Sequence, residues 1–116
     1  MAFTKKVTLD GCQYSYSINP DVKPYTLRDT TFTQNTIGHY ELKRLLEKVP
    51  NSGDGFPLKI TVHKDLNAFK LAITDKSGLR SVNIFKSSEE NKLLQDKFYF
   101  LMDSLVERHI FSKNPV

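Results

Sequence analysis

The sequence predicts a small α+β domain in which antiparallel strands come first and one long amphipathic helix, roughly Ser88 to Ile110, covers them. Three observations support this prediction. Short segments in which apolar and polar residues alternate recur through much of the chain, with turn-forming residues between them. Apolar residues at helical spacing follow near the end. The length of 116 residues fits one domain over 1–116, because two domains would each lack an adequate core.

The first predicted element is a β-hairpin that turns at Asp10-Gly11, because these residues tolerate the positive φ angles of a two-residue turn. Closing the hairpin there would pair Leu9 with Cys12 and Val7 with Tyr14. The paired residues share one mostly apolar face, and the residues that alternate with them are mostly polar. The pattern therefore indicates a half-buried antiparallel pair.

Residues Pro24 to Thr33 are predicted to be extended, because Tyr25 and Leu27 alternate with polar neighbours. Arg28 and Asp29 follow them directly. These two charged side chains either anchor a turn or, in the functional interpretation, help to bind a ligand. The sequence favours the anchoring role.

Residues 39–49 fit two structures equally well. Their apolar residues fall at helical spacing, namely Leu42, Leu45, Leu46 and Val49. However, Gly38 before them and Pro50 after them leave room for about three helical turns at most. Helix and strand both stay open at this point.

The clearest strand signal lies between residues 56 and 86, which predict two successive hairpins with four-residue loops at 64–67 and 76–79. The first hairpin would pair Leu58 with Ile73, Ile60 with Leu71, and Val62 with Phe69. The second would pair Ile73 with Val82 and Leu71 with Ile84. All these apolar residues share one face, and polar residues occupy the other, so one side is predicted to be core.

The predicted helix begins at a capping box in which Ser87 and Glu90 have the required spacing. Its apolar stripe consists of Leu94, Phe98, Leu101, Met102, Leu105 and His109. A helix of this length would span a small sheet, and Asn114-Pro115 is expected to stop the chain soon after.

The charge pattern argues against a nucleic-acid reader. The chain has 17 basic and 13 acidic residues, for a net charge of +4, and the charges are spread evenly. Proteins that bind phosphates usually concentrate their basic residues on one face, so nucleic acid is an unlikely partner. No segment is long and apolar enough for a signal peptide or a membrane span. With a single cysteine, these features predict a cytoplasmic location.

No motif for catalysis, metal or cofactor binding is evident. His39, His63 and His109 fall in different predicted elements without metal-type spacing, so surface or capping roles are favoured and no zinc site is indicated. Cys12 lies on the apolar side of the first hairpin and is interpreted as a packed residue. The chain also lacks a nucleophile elbow and a phosphate-binding loop. No cofactor is therefore predicted, and an enzymatic role is uncertain.

The most informative polar cluster runs from Asp75 through Lys76 and Ser77 to Arg80. The predicted register sets Asp75 directly opposite Arg80, with both directed toward the core face. One interpretation is an ion pair that closes the rim of the core. The other is that this pair and Lys76 line the mouth of a pocket between sheet and helix and hold a carboxylate or an amine. The structural interpretation is favoured.

Four strings give the chain a resemblance to a known family: residues 19–23 (NPDVK), 25–29 (YTLRD), 73–80 (ITDKSGLR) and 84–86 (IFK). In this combination the chain resembles, over nearly its whole length, a family from Gram-positive, chiefly lactic-acid, bacteria that is classified as a domain of unknown function and linked to amino-acid metabolism. The resemblance implies two antiparallel β-sheets packed against a single long C-terminal helix. It also favours strand for residues 39–47.

Such folds also have a distant likeness to bacterial S-adenosylmethionine decarboxylases. Those enzymes form a pyruvoyl group by cleavage before a serine in a Glu-Ser-His context, which this sequence lacks, so decarboxylation by that route is not expected. The family supplies no established catalytic residues to carry over.

The leading hypothesis from the sequence is a binding or accessory protein of amino-acid metabolism, with sulfur amino acids or S-adenosylmethionine-related compounds as its narrower form. The alternatives are a small enzyme and a nucleic-acid-binding module. The expected partner is a small polar metabolite or a partner enzyme, and the chain is expected to be a monomer or a homodimer. The candidate ligand-binding residues are Tyr25, Arg28, Asp29, Asp75, Lys76, Ser77 and Arg80.

Overall fold

The computed structural model describes residues 3–47, 55–85 and 89–116, with the backbone alone for residues 89 and 90. Its elements in chain order are β1 (Lys6–Val7), β2 (Tyr14–Ile18), α1 (Pro24–Asp29), β3 (Thr33–Gln34), β4 (Tyr40–Glu47), β5 (Gly55–Val62), β6 (Phe69–Ile73), α2 (Glu89–Glu107) and β7 (Phe111–Pro115). The α+β class, with two antiparallel sheets and a C-terminal helix, is confirmed. Within these described residues, neither helix has the length and apolar content needed to cross a membrane.

The strands form two sheets in which all pairs are antiparallel. The three-stranded sheet has the order β1-β2-β7, and the four-stranded sheet has the order β3-β4-β5-β6. An isolated bridge between Thr4 and Phe69 ties the start of the chain to the four-stranded sheet. The core lies between the sheets and α2: Phe98 of α2 packs edge-on against Tyr16, and Phe69 lies 4.7 Å from Phe111 between ring centroids.

Residues 40–47, which the apolar spacing left open between helix and strand, form the strand β4. It pairs with β5 along its whole length, for example Leu42 with Ile60 and Leu46 with Phe56. Leu42 and Leu46 are buried, whereas Leu45 is 42% exposed. The alternation of a strand therefore decides which of these leucines enter the core. Val49 and Pro50 lie outside the described residues.

The first of the two predicted hairpins after residue 55 has the expected register: Leu58 faces Ile73, Ile60 faces Leu71, and Val62 faces Phe69. The second hairpin is shorter than expected. Its pairing is maintained at the Thr74–Ser81 bridge and at the bond from Val82 N to Ile73 O, which is 2.9 Å long. The predicted pairing of Leu71 with Ile84 is wrong, because residues 84–85 form a turn.

Residues 24–29 form the helix α1, so the prediction of an extended segment is wrong. Pro24 occupies the first turn, where its fixed φ and missing N–H suit a helix start. Leu27 is fully buried and holds the helix on the core. The chain leaves the helix through Thr31, whose φ of 69° is left-handed. In so short a helix the apolar pattern covers too few residues to distinguish the two periods.

The register of the first hairpin also differs from the prediction. Val7 faces Tyr16 rather than Tyr14, and β1 is two residues long. The turn itself forms where expected, because Cys12 N donates to Leu9 O at 2.9 Å. On its other edge β2 pairs along all five residues with β7, which the sequence did not predict, so β2 is the central strand of this sheet. A two-residue shift keeps the same side chains on the core face.

Helix α2 buries the predicted stripe at Leu94, Phe98, Met102 and Leu105, with Leu101 half-buried. It ends at Glu107 rather than near Ile110. His109 is exposed outside the helix, so its placement on the buried stripe is wrong. The predicted capping box falls on residues 87 and 90, where Ser87 and the side chain of Glu90 lie outside the described residues.

Candidate functional site

The first group of sequence-predicted site residues lies on α1. Tyr25 is 64% exposed, and Arg28 and Asp29 are also exposed. Within the described parts of the chain, neither charged side chain makes an ion pair. Leu27, which lies between them and Tyr25 in sequence, is what fixes this helix on the core.

The second group forms the turn after β6. The carboxylate of Asp75 accepts hydrogen bonds from the N–H of Ser77 at 3.1 Å and from its hydroxyl at 2.5 Å. The Ser77 hydroxyl is the largest cause of the lowered pKa of Asp75, and further backbone bonds within the turn act in the same direction. The expected ion pair with exposed Arg80 is not formed; the backbone bond from Asp75 N to Arg80 O, at 3.0 Å, joins them instead.

The two groups are not brought together by hydrogen bonds or ion pairs. In the described residues, neither kind of contact joins Arg28 or Asp29 to Asp75 or Arg80. Asp75 and Ser77 act on the turn itself, because a carboxylate that accepts the N–H two residues on fixes a turn locally. This turn is nevertheless close to a cavity that the other residues of the same hairpin line.

A cavity of about 610 Å³ lies beside the free edge of β6, within the range common for small-molecule sites. We call it the β6 cleft; residues 9–10, 71–74, 78–79, 81–83 and 85 line it. Its walls are mainly apolar, with Leu9, Ile73, Val82 and Phe85 among them. The 89% exposed side chain of Leu79 lies at its mouth on the turn described above.

The ladder between β5 and β6 determines which peptide groups of β6 face the cleft side. Thr74 N donates to Pro57 O at 3.0 Å, and His63 N donates to Ala68 O at 2.9 Å. Even-numbered residues of this segment therefore turn their N–H and C=O groups toward β5. By the alternation of an antiparallel ladder, odd-numbered residues turn theirs to the free edge.

Neighbouring segments occupy this edge on both sides of Leu71 but not at Leu71 itself. Phe69 exchanges both of its peptide hydrogen bonds with Thr4, at 2.9 and 2.8 Å, and Ile73 accepts one from Val82. None of the described residues pairs with the outward N–H and C=O of Leu71. The backbone donor and acceptor of Leu71 therefore have no partner among the described residues, and Leu71 as a whole is 1% exposed.

The polar side chains at the cleft differ in whether hydrogen bonds fix them. Asn83 is held in place, because its amide donates to Asp10 O at 3.2 Å and accepts from Phe85 N at 2.8 Å. Asp10, by contrast, has no described partner for its carboxylate and is exposed. The hydroxyls of Thr74 and Ser81 also line the cleft. Besides Asn83, the residues with polar side chains that line the cleft with Leu71 are Asp10, Thr74 and Ser81.

Comparison with known proteins places this architecture in a family. The profile of the DUF1831 family, described as "Putative amino acid metabolism", matches residues 1–112. The chain belongs to the DUF1831 family. The crystal structure of a DUF1831 family protein from Lactobacillus plantarum is similar to it, with a TM-score of 0.87 and 32% sequence identity over 98% of this chain and 99% of that chain. No curated protein matches the chain.

This DUF1831 protein also brings together two histidines that the sequence placed in different elements. The rings of His39 and His63 lie 4.6 Å apart between centroids. The Nδ1 atom of His39 accepts from Lys64 N, and that of His63 accepts from Asp65 N, both at 3.1 Å. Each ring, when neutral, then carries its proton on Nε2, so neither nitrogen has a free lone pair for a metal. The described residues contain no group of three or more metal-ligating side chains.

Sequence reasoning located the hairpin that borders the cleft but missed the cleft itself. Two of its lining residues matter most for binding a ligand: Leu71, through its peptide group, and Asp10, through its carboxylate. Backbone groups carry no sequence signal, since every residue except proline has both. The position of Asp10 depends on a contact with Asn83 that spans much of the chain. Alternation predicted β6 as a strand but could not show that it is an edge strand.

Proposed function

We propose that this chain is a binding protein for a small amino acid with an apolar side chain, held in the β6 cleft. The observation that carries the proposal is the peptide group of Leu71 in the cleft wall, which has no partner among the described residues and lies between two occupied ladder positions. The charged groups of a free amino acid complement this peptide group. The carboxylate can accept a hydrogen bond from the Leu71 N–H, and the ammonium group can donate one to the Leu71 C=O. The description of the family, amino-acid metabolism, agrees in general terms.

The rest of the cleft supplies what such a ligand needs besides main-chain pairing. The carboxylate of Asp10 would hold the ammonium group through a charge-assisted hydrogen bond. The apolar walls, which include Ile73, Val82 and Phe85, would take the side chain out of water. Leu79 would cover the ligand from the turn that Asp75 and Ser77 fix.

We place this binding in the cytoplasm, where the free thiol of the buried Cys12 would stay reduced. Sulfur amino acids fit the same chemistry, because a thioether packs well against aromatic rings such as that of Phe85. S-adenosylmethionine carries the same amino-acid group on a larger body, and the cleft volume makes it a worthwhile probe.

Isothermal titration calorimetry with leucine, methionine, phenylalanine and S-adenosylmethionine would test the proposal. We expect saturable binding of at least one of them. For leucine, two probes separate the contributions: 4-methylpentanoic acid lacks the ammonium group, and isopentylamine lacks the carboxylate. Both should bind at least about tenfold more weakly than leucine, since each loses a charge-assisted hydrogen bond. Equal binding of all three would contradict main-chain recognition.

Two variants with matched controls locate the binding. Asp10→Asn keeps the turn, because asparagine also suits that position, and should weaken binding about tenfold. Asp21→Asn makes the same charge change in the exposed turn after β2 and should have no effect. Ser81→Tyr should block the cleft, whereas Thr33→Tyr places the same ring on an exposed position of β3. Binding that survives both cleft variants would overturn the proposal.

A further inference from the structure

We propose that the protein has a second site, independent of the β6 cleft, that binds a phosphate group between Arg44 and Arg108. A cavity of about 210 Å³ lies where the end of α1, strand β4 and the end of α2 meet. We call it the arginine pocket; residues 30–31, 42, 44, 101, 104–105 and 108 line it. Arg44 of β4 and Arg108, just after α2, both line it, and the described lining residues include no acidic residue.

The guanidinium group of Arg44 is held in position by two hydrogen bonds. Its Nη1 donates to the carbonyl of Lys43 at 2.9 Å, and its Nη2 donates to the hydroxyl of Thr31 at 2.5 Å. A guanidinium group has five N–H donors, so three stay available in a fixed geometry. Arginine held in this way suits the oxygens of a phosphate, since less conformational freedom is lost on binding.

Thr31, which holds Arg44, has a backbone conformation that a β-branched residue rarely adopts. Its φ is 69°, at the position after α1 where glycine is usual. The bonds from Thr31 N to Arg28 O and from Phe32 N to Leu27 O close the helix there. Glycine would close the helix with less strain but could not hold Arg44. The threonine hydroxyl thus has a specific partner in the arginine pocket.

The donors left in the pocket are the two arginines and the hydroxyl of Thr31, which accepts from Arg44 and keeps its own O–H. The hydroxyl of Thr30 donates to carbonyls of α1, and that of Ser104 donates to Leu101 O at 2.7 Å. Neither Arg44 nor Arg108 forms an ion pair with a described residue. Two positive charges without an ion-pair partner in the described part of the chain, beside a small cavity, match a compact dianion such as a phosphate monoester better than a single carboxylate.

Titration with inorganic phosphate, followed through backbone amide shifts in ¹H–¹⁵N NMR spectra, would test the site. We expect saturable shifts centred on residues 30–31, 44 and 104–108. Arg44→Gln and Arg108→Gln should each weaken binding about tenfold. Lys43→Gln removes a neighbouring exposed charge but keeps the carbonyl that orients Arg44, and should change the affinity less than twofold. An equal loss in all three variants would mean diffuse charge attraction and would overturn the proposal.

Three further probes identify the ligand chemistry. Methyl phosphate should bind at least as well as inorganic phosphate if the site takes a phosphorylated metabolite, whereas tighter inorganic phosphate would indicate the free ion. Acetate should bind much more weakly than either, and equal binding of acetate would contradict a phosphate site.

Thr31→Gly separates binding from folding. Relief of the left-handed strain should keep or raise the melting temperature, while phosphate binding falls severalfold because Arg44 loses its support. A variant that binds phosphate as well as the wild type would show that Thr31 has no positioning role. The role of the two arginines would still be tested by the variants Arg44→Gln and Arg108→Gln.

Discussion

The imidazole rings of His39 and His63 lie against each other, with centroids 4.6 Å apart and planes inclined by 48°. Phe3 packs against both rings, at 4.9 and 5.1 Å between centroids. The Nδ1 atom of His39 accepts the N–H of Lys64 and is therefore unprotonated. Protonation of His39 would break this bond and place a positive charge beside three other basic side chains, those of His63, Lys64 and Lys70.

We expect the protein to lose stability as the pH falls below about 6.5. Desolvation, and next the positive charge of His63, lower the pKa of His39 below its usual value of 6.5, while Asp65 opposes this weakly. The unfolded chain then binds more protons than the folded one, so stability rises with pH in this window. The stabilisation linked to unprotonated His39 is fully present above pH 6.5 and is lost as the pH falls toward the lowered pKa. Urea unfolding between pH 5 and 8 would measure it.

Two asparagine variants serve as controls for this pH dependence. His39→Asn keeps an acceptor for the Lys64 N–H but does not titrate, so it should flatten the pH dependence and preserve stability at pH 8. His63→Asn should raise the pKa of His39, measured by NMR, because a neighbouring positive charge is removed. A pKa of His39 at or above 6.5 in the wild type would refute the expected direction.

Gly11 should not accept a side chain. Its φ is +85°, and a Cβ there would lie 2.9 Å from Phe85 Cβ and 3.3 Å from Phe85 O. We expect Gly11→Ala to destabilise the fold by more than the about 1–2 kcal/mol that a left-handed alanine costs. Gly78→Ala is the matched control, because Gly78 has a φ of +77° but open space around it. Denaturant unfolding of both variants would isolate the cost of the Phe85 contact; equal losses would argue against it.

The hydroxyl of Tyr16 is buried without a hydrogen-bond partner among the described residues. Burial is also the main reason why the pKa of Tyr16 is raised. We expect Tyr16→Phe to stabilise the protein by about 1 kcal/mol, because an unsatisfied polar group is removed from the core. Tyr99→Phe should instead cost about 1 kcal/mol, since the Tyr99 hydroxyl accepts from Gln13 N at 3.0 Å. Thermal unfolding of both variants tests the contrast, which a destabilised Tyr16→Phe would disprove.

A histidine, His109, follows helix α2 at a position where glycine is usual. His109 has a φ of 62°, and the bonds from His109 N to Val106 O and from Ile110 N to Leu105 O close the helix. We expect His109→Gly to raise the free energy of unfolding by about 0.5–1 kcal/mol through relief of left-handed strain. Glu107→Gly, within the helix, should lower it by about 1 kcal/mol. Chemical denaturation would compare them, and a loss in both variants would contradict the role assigned to His109.

Local patterns predicted the parts of the fold that local interactions specify. The pairing of Leu58 with Ile73 was predictable, because strict alternation and a short loop leave few registers for a hairpin. The buried stripe of α2 from Leu94 to Leu105 was predictable from its spacing. By contrast, β7 was missed because Phe111 pairs with Ile18, a partner distant in sequence. Long-range pairing of this kind left no local signal.

The candidate sites also have features that local sequence patterns predicted and features that they did not. The sequence identified the turn from Asp75 to Arg80 as a structured polar cluster, and the turn is built by its own side chains. The open edge at Leu71 and the convergence of Arg44 with Arg108 follow only from how distant segments pack. The sequence alone thus determined the α+β class, the hairpin beside the cleft and the buried helix. Only the tertiary structure decided where cavities and unpaired groups lie, because these depend on which neighbours a segment lacks, and no pattern within the segment records that.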